Sequence, residues 1–374
     1  MLLLISCQIR AQRYFQNAGD TKIPSQKMSM GELSFIIEDS LSDAFLYASK
    51  IGLNKQNTVF FAPTATNLHQ TERVWDRQDY EYRFITVSTP AGLIIGIGDF
   101  TLGFTTSTRQ TKYVYPKQDT ISHSYSLSHY YNKATEYQWF AGYTYGKLQL
   151  GVSRYSDYFE DNQTLYSLHK LIIGATYSLN TKSTLSFDYS FSPYYSTNYR
   201  LEFSTLIGKE TKIAFIGESI YQSNRYYYNY LWNYTLGGGI TSKFSNFLLA
   251  CEICYKPEAW ERYNNIPSYY KKEINHNWEF KLGVDCFIYS YFDISAGINY
   301  LIENRQQEYQ NPIDERVKDY SNSPGVTAGL NYKLKNFDFK YIFVHHTYEP
   351  LLTDAVSKDK GFNNNHFLFI SYNF

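Results

Sequence analysis

Long apolar runs are absent from this chain. No stretch reaches the roughly 18 apolar residues that a helical membrane span needs, which excludes helical spans. Charge imbalance is absent too: 35 Lys and Arg balance 35 Asp and Glu, so nothing points to nucleic acid or another polyanion. Cysteine is scarce, with four in 374 residues. Cys251-Glu252-Ile253-Cys254 has C-x-x-C spacing, but on a strand a three-residue offset sends the sulfurs to opposite faces. No second C-x-x-C completes a zinc site. H-E-x-x-H, H-x-x-E-H, G-x-S-x-G and a Walker loop are all missing. Gly96-Ile97-Gly98 opens a G-x-G-x-x-G, yet Thr101 stands where the third glycine belongs. The eight His residues are dispersed, and the neighbours His345 and His346 would face opposite ways on a strand. Ser122-His123 and Ser128-His129 are adjacent pairs, the wrong geometry for a Ser–His hydrolase on a strand. No catalytic site, metal or cofactor is expected.

Aromatic residues are abundant: 39 Tyr, 26 Phe and 5 Trp, spread among Ser, Thr, Asn, Asp and Lys. Strands favour aromatics, and membrane–water interfaces favour Tyr and Trp. Mean hydropathy is −0.43, which a transmembrane β-barrel tolerates because its strands alternate oily and polar residues.

From residue 79 onward the period is two. Leu185, Phe187, Tyr189 and Phe191 oppose Ser186, Asp188, Ser190 and Ser192. Trp278, Phe280, Leu282, Val284 and Cys286 oppose Asn277, Glu279, Lys281, Gly283 and Asp285. The stretches 292–300 and 326–334 repeat the theme. A β-sandwich would alternate in the same way. The connections separate the two. Short turns at Gly146-Lys147, Asn180–Ser183, Gly208–Thr211, Thr241–Ser245, Tyr289–Tyr291 and Lys335-Asn336 take turns with long polar loops near 157–164, 193–198, 223–227, 257–273, 304–323 and 348–364. That rhythm is the mark of an up-and-down barrel with tight periplasmic turns. The fold expected is therefore all-β: a transmembrane antiparallel up-and-down β-barrel of about 14 or 16 strands with a small N-terminal helical or hatch segment. Roughly fourteen strands follow residue 120, and Tyr80–Ser88 and Ala91–Phe104 read as two more. Val59-Phe60-Phe61 reads as a further strand that would break an even count. Gly237-Gly238-Gly239 reads as a strand kink.

The chain divides into three. Residues 1–11 read as a signal peptide with a short apolar run, cleaved after Ala11, and lacking the basic start of a complete one. The true start is therefore expected upstream of Met1. Leu4-Ile5-Ser6-Cys7 also fits a lipobox, which would place a lipid on Cys7. Residues 12–78 form a plug, hatch or periplasmic segment, with a short helix over Ser40–Ser49 marked by Ser40, Asp43 and apolar Leu41, Ala44, Phe45 and Ala48. Residues 79–374 form the barrel.

Two sets of residues carry function in this reading. Asp188, Glu279, Lys281, Asp285, Asp293 and Lys333 fall on the polar faces of their strands and are candidates for the lumen, as cross-strand charge pairs or as the lining of a solute path. Leu368, Ile370, Tyr372 and Phe374 alternate up to the aromatic last residue and resemble the terminal β-signal read by the outer-membrane assembly machinery.

Residues 31–66 resemble the FadL-type hydrophobic-compound transporters of Bacteroidetes-like outer membranes. Gly31-Glu32-Leu33-Ser34, then Asp39 to Asp43-Ala44, then Ala48-Ser49-Lys50-Ile51-Gly52-Leu53 are similar in order and spacing, as are His366 and Tyr372-Asn373-Phe374 at the end. The family's Asn-Pro-Ala motif is replaced by Ser49-Lys50-Ile51. The resemblance implies a barrel of about 14 strands with an N-terminal hatch and lateral passage of apolar molecules. The function expected is passive passage or uptake of a small molecule, polar or hydrophobic, with the resemblance pointing to a hydrophobic one, across a Gram-negative outer membrane. The alternative is a scaffold barrel that binds a partner protein through loops such as Trp260–Lys272 and Gln306–Ser323. Partners expected are outer-membrane lipid, the assembly machinery and a small hydrophobic ligand, with no nucleic acid.

Overall fold

The computed structural model describes residues 26–30, 32–37, 40–53, 57–73, 79–118, 125–161, 164–192, 196–224, 229–263, 270–309, 317–352 and 360–374. The signal stretch 1–11 with Cys7, and Gly31, Asp39, Ser122 and His123, lie outside them. The strands are β1 (Thr58–Phe61), β2 (Thr64–Arg73), β3 (Asp79–Ser88), β4 (Ala91–Ile97), β5 (Phe100–Gln118) and β6 (Tyr125–Tyr145). There follow β7 (Leu148–Asp161), β8 (Thr164–Ser178), β9 (Ser183–Ser192), β10 (Ser196–Ile207), β11 (Thr211–Asn224) and β12 (Asn229–Phe244). The last six are β13 (Phe247–Tyr263), β14 (Tyr270–Tyr289), β15 (Phe292–Tyr309), β16 (Val317–Leu334), β17 (Phe337–Leu352) and β18 (Lys360–Asn373).

These eighteen segments build a closed antiparallel barrel of sixteen staves. Each stave pairs with its sequence neighbours, and β18 closes on the first. Two staves are each split by a proline. β1 and β2 lie against β18 in one register, with Phe61 opposite Ile370 and Thr64 opposite Phe367, and break only at Ala62-Pro63. β3 and β4 lie against β5, with Ser88 opposite Arg109 and Ala91 opposite Thr106, and break only at Thr89-Pro90.

Four expectations change. The barrel begins at Thr58 rather than residue 79, so Val59-Phe60-Phe61 belongs to the first stave and keeps the count even. The exposed positions of β2 are Ala65 and Asn67, so its outer face carries no apolar alternation to read. Residues 91–104 are not one strand. Gly98 adopts φ +61°, in the region where only glycine is unstrained, and turns the chain between β4 and β5. Most strands also run well into the expected loops: β13 reaches Tyr263 and β14 starts at Tyr270, within the 257–273 stretch. Antiparallel pairing continues there, but without an apolar face the period of two vanishes from the sequence. The neighbouring turn falls at Ser245-Asn246, because β12 continues through Phe244.

Burial is inverted relative to a water-soluble sheet protein. On β14, Trp278, Phe280 and Leu282 are exposed, while Asn275, Asn277, Lys281 and Asp285 are buried. The same holds on β9, where Phe187 and Phe191 are exposed and Asp188 and Ser190 buried. An apolar outer wall facing water would forfeit about 1.5–3 kcal/mol per large side chain. Facing lipid, it costs nothing.

The described residues of the N-terminal segment lie inside the barrel. They comprise a helical turn at Gln26–Ser29, a helix at Ser40–Leu46 with Asp43 in its first turn, and a 3-10 helix at Ala48–Leu53. The last packs on β5 to β9 and the first on β15 to β17, so the segment touches opposite sides of the lumen.

Candidate functional site: the plugged lumen

Inward-facing side chains grip the plug backbone. Glu252 of β13 is 1% exposed. Its carboxylate accepts hydrogen bonds from the Ser34, Phe35 and Ile36 amides at 2.7, 2.8 and 2.7 Å and from Ser34 Oγ at 2.9 Å. Three consecutive backbone N–H groups thus converge on one carboxylate, an arrangement stronger than neutral hydrogen bonding. On the far side, Asp188 accepts bonds from Ser49 N at 2.7 Å and Ser49 Oγ at 2.6 Å. Lys50 Nζ sits 2.7 Å from Glu202 and 4.0 Å from Asp43, all three buried. Arg200 lies between Asp188 and Glu202 and places its guanidinium 3.6 Å from the centroid of the Tyr47 ring. Desolvation, ahead of the Arg200 charge that opposes it, pushes the Tyr47 phenol up to about 12, so it stays neutral. Gln138 donates to the Phe45 carbonyl (2.6 Å), Thr176 to that of Ser49 (2.9 Å) and Thr327 to that of Ser29 (2.8 Å). Glu32, whose φ is +55°, pairs with His346 Nε2 at 2.7 Å.

Glycines let the plug come this close. A Cβ at Gly151 would fall on the Ala48 carbonyl oxygen, and one at Gly283 on that of Met30. Gly237 and Gly239 serve the same end: their missing Cβ atoms would meet Phe35 and Ile36 of the plug at 3.1 Å. Wall atoms crowd the same two positions, Cys254 and Ile216 at Gly237 and the Cys251 carbonyl at Gly239, while Gly238 meets only Phe215 of the neighbouring strand.

The polar residues singled out from sequence are distributed as follows. Asp188 holds Ser49. Glu279 and Lys281 are 3.3 Å apart, Glu279 also pairs with Lys256 at 2.6 Å, and Lys281 donates to Ser34 Oγ at 3.0 Å. Asp285 is buried, Asp293 accepts from Asn331 at 3.0 Å, and Lys333 is exposed near a short turn. Leu368, Tyr372 and Phe374 are exposed, and Ile370 half-buried, on the outer side of the closing strand. Cys251 is exposed and Cys254 buried, as the strand period dictates. Glu252, Arg200, Glu202 and Lys50 were missed. Glu252 was hidden inside the C-x-x-C reading, although it shares the polar phase of its strand; Arg200 and Glu202 alternate with Tyr199, Leu201 and Phe203 and were legible in principle.

Two sectors of the inner wall are apolar: on one, Ala214, Ile216, Ala250 and Cys254 meet Met30, Leu33, Phe35, Ile36 and Ile37 of the plug, and the other lies beside the first stave. Phe60 of β1, Ala62, Ile94 of β4, Phe140 of β6, Ile172 of β8 and Phe369 of β18 form one cluster with Ala44, Phe45, Ala48 and Ile51 of the plug. Ile342, Val344 and Phe367 extend it around Met28. Pro63 and Pro90 interrupt adjacent staves within this sector. Their carbonyls accept from Leu368 N at 3.0 Å and Ala62 N at 2.8 Å, but neither proline has an N–H to return, so each deletes one ladder bond.

No family model and no curated relative matches the chain. Solved structures do. A "TodX deltaS2S3 mutant monoaromatic hydrocarbon channel" superposes with TM-score 0.60 at 11% identity, covering 95% of this chain and all of that one. The Pseudomonas putida toluene transporter TodX gives TM-score 0.52 at 11% identity over 89% of this chain and 94% of that one. A Pseudomonas aeruginosa FadL homologue gives 0.53 at 8% identity over 94% and 98%. The fold is that of the FadL-type outer-membrane channels. At these identities the likeness extends to the architecture alone. In the hatch of this barrel, Ser49 and Lys50 do the anchoring, through Asp188, Thr176 and Glu202.

Proposed function

We propose that this chain is an outer-membrane channel for passive uptake of a small, hydrophobic molecule, and that the molecule leaves the lumen sideways through the wall rather than past the plug. One observation carries this reading: Phe60, Ala62 and Ile94, from the two adjacent staves that Pro63 and Pro90 split, belong to an apolar sector of the inner wall, and buried charges at Glu252, Asp188 and Glu202 hold the plug. An apolar guest gains by entering an apolar sector, roughly 25 cal/mol per Å² buried, and a wall lacking ladder bonds opens at lower cost. Similar solved structures include a toluene transporter, which supports the same class of cargo. In this reading the chain does no chemistry on its cargo, is exported by a signal peptide, and sits in the outer membrane with aromatic girdles. Tyr145, Tyr289, Tyr291 and Phe337, exposed beside short turns, support the girdle. Asp188 and Lys281 are lumen residues that hold plug and wall together, Glu279, Asp285 and Asp293 belong to the polar inner face of the wall, Lys333 lies exposed near a turn, and Leu368, Ile370, Tyr372 and Phe374 serve assembly.

The test is uptake of labelled toluene by Gram-negative cells stripped of their own hydrophobic-compound channels. Expression of this chain should accelerate uptake. Equal uptake with and without the chain, at proven outer-membrane insertion, refutes the reading.

A further inference from the structure

We propose that the outer face of the first stave binds a phosphate-bearing lipid of the outer leaflet, with the phosphate at Arg83 and His69 and an acyl chain laid along β2. This rests on the reading that the barrel spans the outer membrane, and not on what its lumen carries.

Charge on the outer wall has one sign. Among the described side chains of the strands, those of Asp and Glu point inward, as at Glu136, Asp188, Glu202 and Glu252. Arg83, Lys133 and Arg154 are exposed, in phase with the apolar outer residues of their strands, and Lys112 stands opposite outward-facing Ile85. Arg83 is joined by histidines from adjacent strands. It lies opposite His69 of β2, which lies opposite Phe362 of β18. The rings of His69 and His345 both stack on Phe362, at 5.1 Å and 22° and at 6.3 Å and 29°.

The height of this cluster matters. His69 stands eleven residues above Thr58, at the periplasmic end of the stave. At about 3.3 Å per residue and a tilt of about 40°, that is roughly 28 Å. The apolar band of such a barrel is about 25 Å tall. The cations are thus presented at the level of lipid phosphates. Arg83 offers five N–H donors in a planar fork, and a phosphate accepts them as charge-assisted bonds.

Below the cluster the wall has a trough. The outward residues of β2 are Asn67 and Ala65, both small and exposed. Ile85 and Val87 of β3 stand opposite them on one side, each 45% exposed. Asn364 and His366 of β18 stand opposite them on the other, with Leu368 next in line. The two walls are two strand spacings apart, about 10 Å, which leaves room for one hydrocarbon chain between their side chains. A basic head over an apolar trough fits a phospholipid or phosphorylated glycolipid. It does not fit a second copy of this chain, whose described outer face has no acid to offer.

The test uses the full-length protein, purified as a folded barrel in detergent. Binding of bisphosphorylated lipid A is measured by native mass spectrometry. Lipid A stripped of its phosphates should bind about tenfold more weakly. The intact lipid should bind Arg83→Gln with His69→Gln more weakly by a similar factor. Ala65→Leu keeps every cation and fills the trough, and should also weaken binding. Arg154→Gln removes an outer-face cation on another stave and should bind as wild type. Inorganic phosphate in excess should displace nothing. Equal binding of the two forms of lipid A overturns the site, as does a loss with Arg154→Gln matching that of the double variant. Displacement by inorganic phosphate overturns the lipid as occupant. A chain absent from the outer membrane of cells overturns the membrane reading instead, and the detergent measurement still decides the site.

Discussion

Glu252→Ala should free the plug. In the native protein one carboxylate satisfies three successive backbone amides and a hydroxyl, at 2.7–2.9 Å. Phe35 and Ile36 are buried, so their N–H groups gain no water when the carboxylate is removed. Leaving a buried donor unsatisfied costs about 1–3 kcal/mol, and two such donors with the lost charge assistance bring the loss to roughly 3–6 kcal/mol. That is enough to shift a segment held by a comparable margin from docked to undocked. Glu252→Gln keeps one acceptor and should fall between. The assay is conductance in a planar bilayer, with limited proteolysis of the N-terminal segment alongside. Wild type should be nearly silent, Glu252→Ala should conduct steadily and lose its N-terminal segment to protease, and both should show the same heat-resistant barrel on a gel. A Glu252→Ala protein as silent and as protected as wild type would refute the anchoring role.

Three further outcomes are expected. Restoring an N–H at the wall with Pro63→Thr and Pro90→Thr should add about 1 kcal/mol per recovered bond, raise the unfolding temperature of the barrel and slow toluene uptake; faster uptake counts against the exit. Gly151→Val should push on the Ala48 carbonyl and raise bilayer conductance as Glu252→Ala does, whereas Gly217→Val, whose nearest neighbour would be Leu236 at 4.0 Å, should stay silent. Phe374→Asp should reduce the amount of folded barrel in the outer membrane several-fold while the protein that does insert takes up toluene normally; unimpaired assembly removes the role given to the last strand.

The fold was legible wherever a strand has an apolar outer face and a polar inner one. The alternation in β9, β14, β15 and β16 follows from that asymmetry alone. It failed at β2, where the outward positions include Ala65 and Asn67, and in the outer halves of the long strands, where the apolar alternation fades; β1 was read as a strand from Val59-Phe60-Phe61 but not as part of the first stave. The closing strand was read correctly in phase, and its outward residues Leu368, Tyr372 and Phe374 sit as the period demands. The site was legible only in part. Asp188 and Lys281 stood out because single charges interrupt apolar strands, but their partners Ser49 and Ser34 lie some 140 and 250 residues away in sequence, and no local pattern links them. The apolar cluster of plug and wall was invisible for the same reason. Phe45, Phe60, Phe140 and Phe369 come from four separate elements, in a chain where aromatics are common everywhere. Gly151 and Gly283 are explained by the plug backbone that crosses them, and Gly92 and Gly103 by the wall rings Phe60 and Phe140 that lie on them; no local pattern announces either contact.

The most direct measurement compares two solutes of similar size in vesicles with a lipopolysaccharide outer leaflet carrying the wild-type protein. Toluene should enter several-fold faster than in protein-free vesicles, while arabinose should enter no faster at all, because the plug remains docked and the exit is apolar. Arabinose entry at a rate matching toluene, or toluene entry unchanged by the protein, would contradict sideways passage of an apolar cargo past a closed plug.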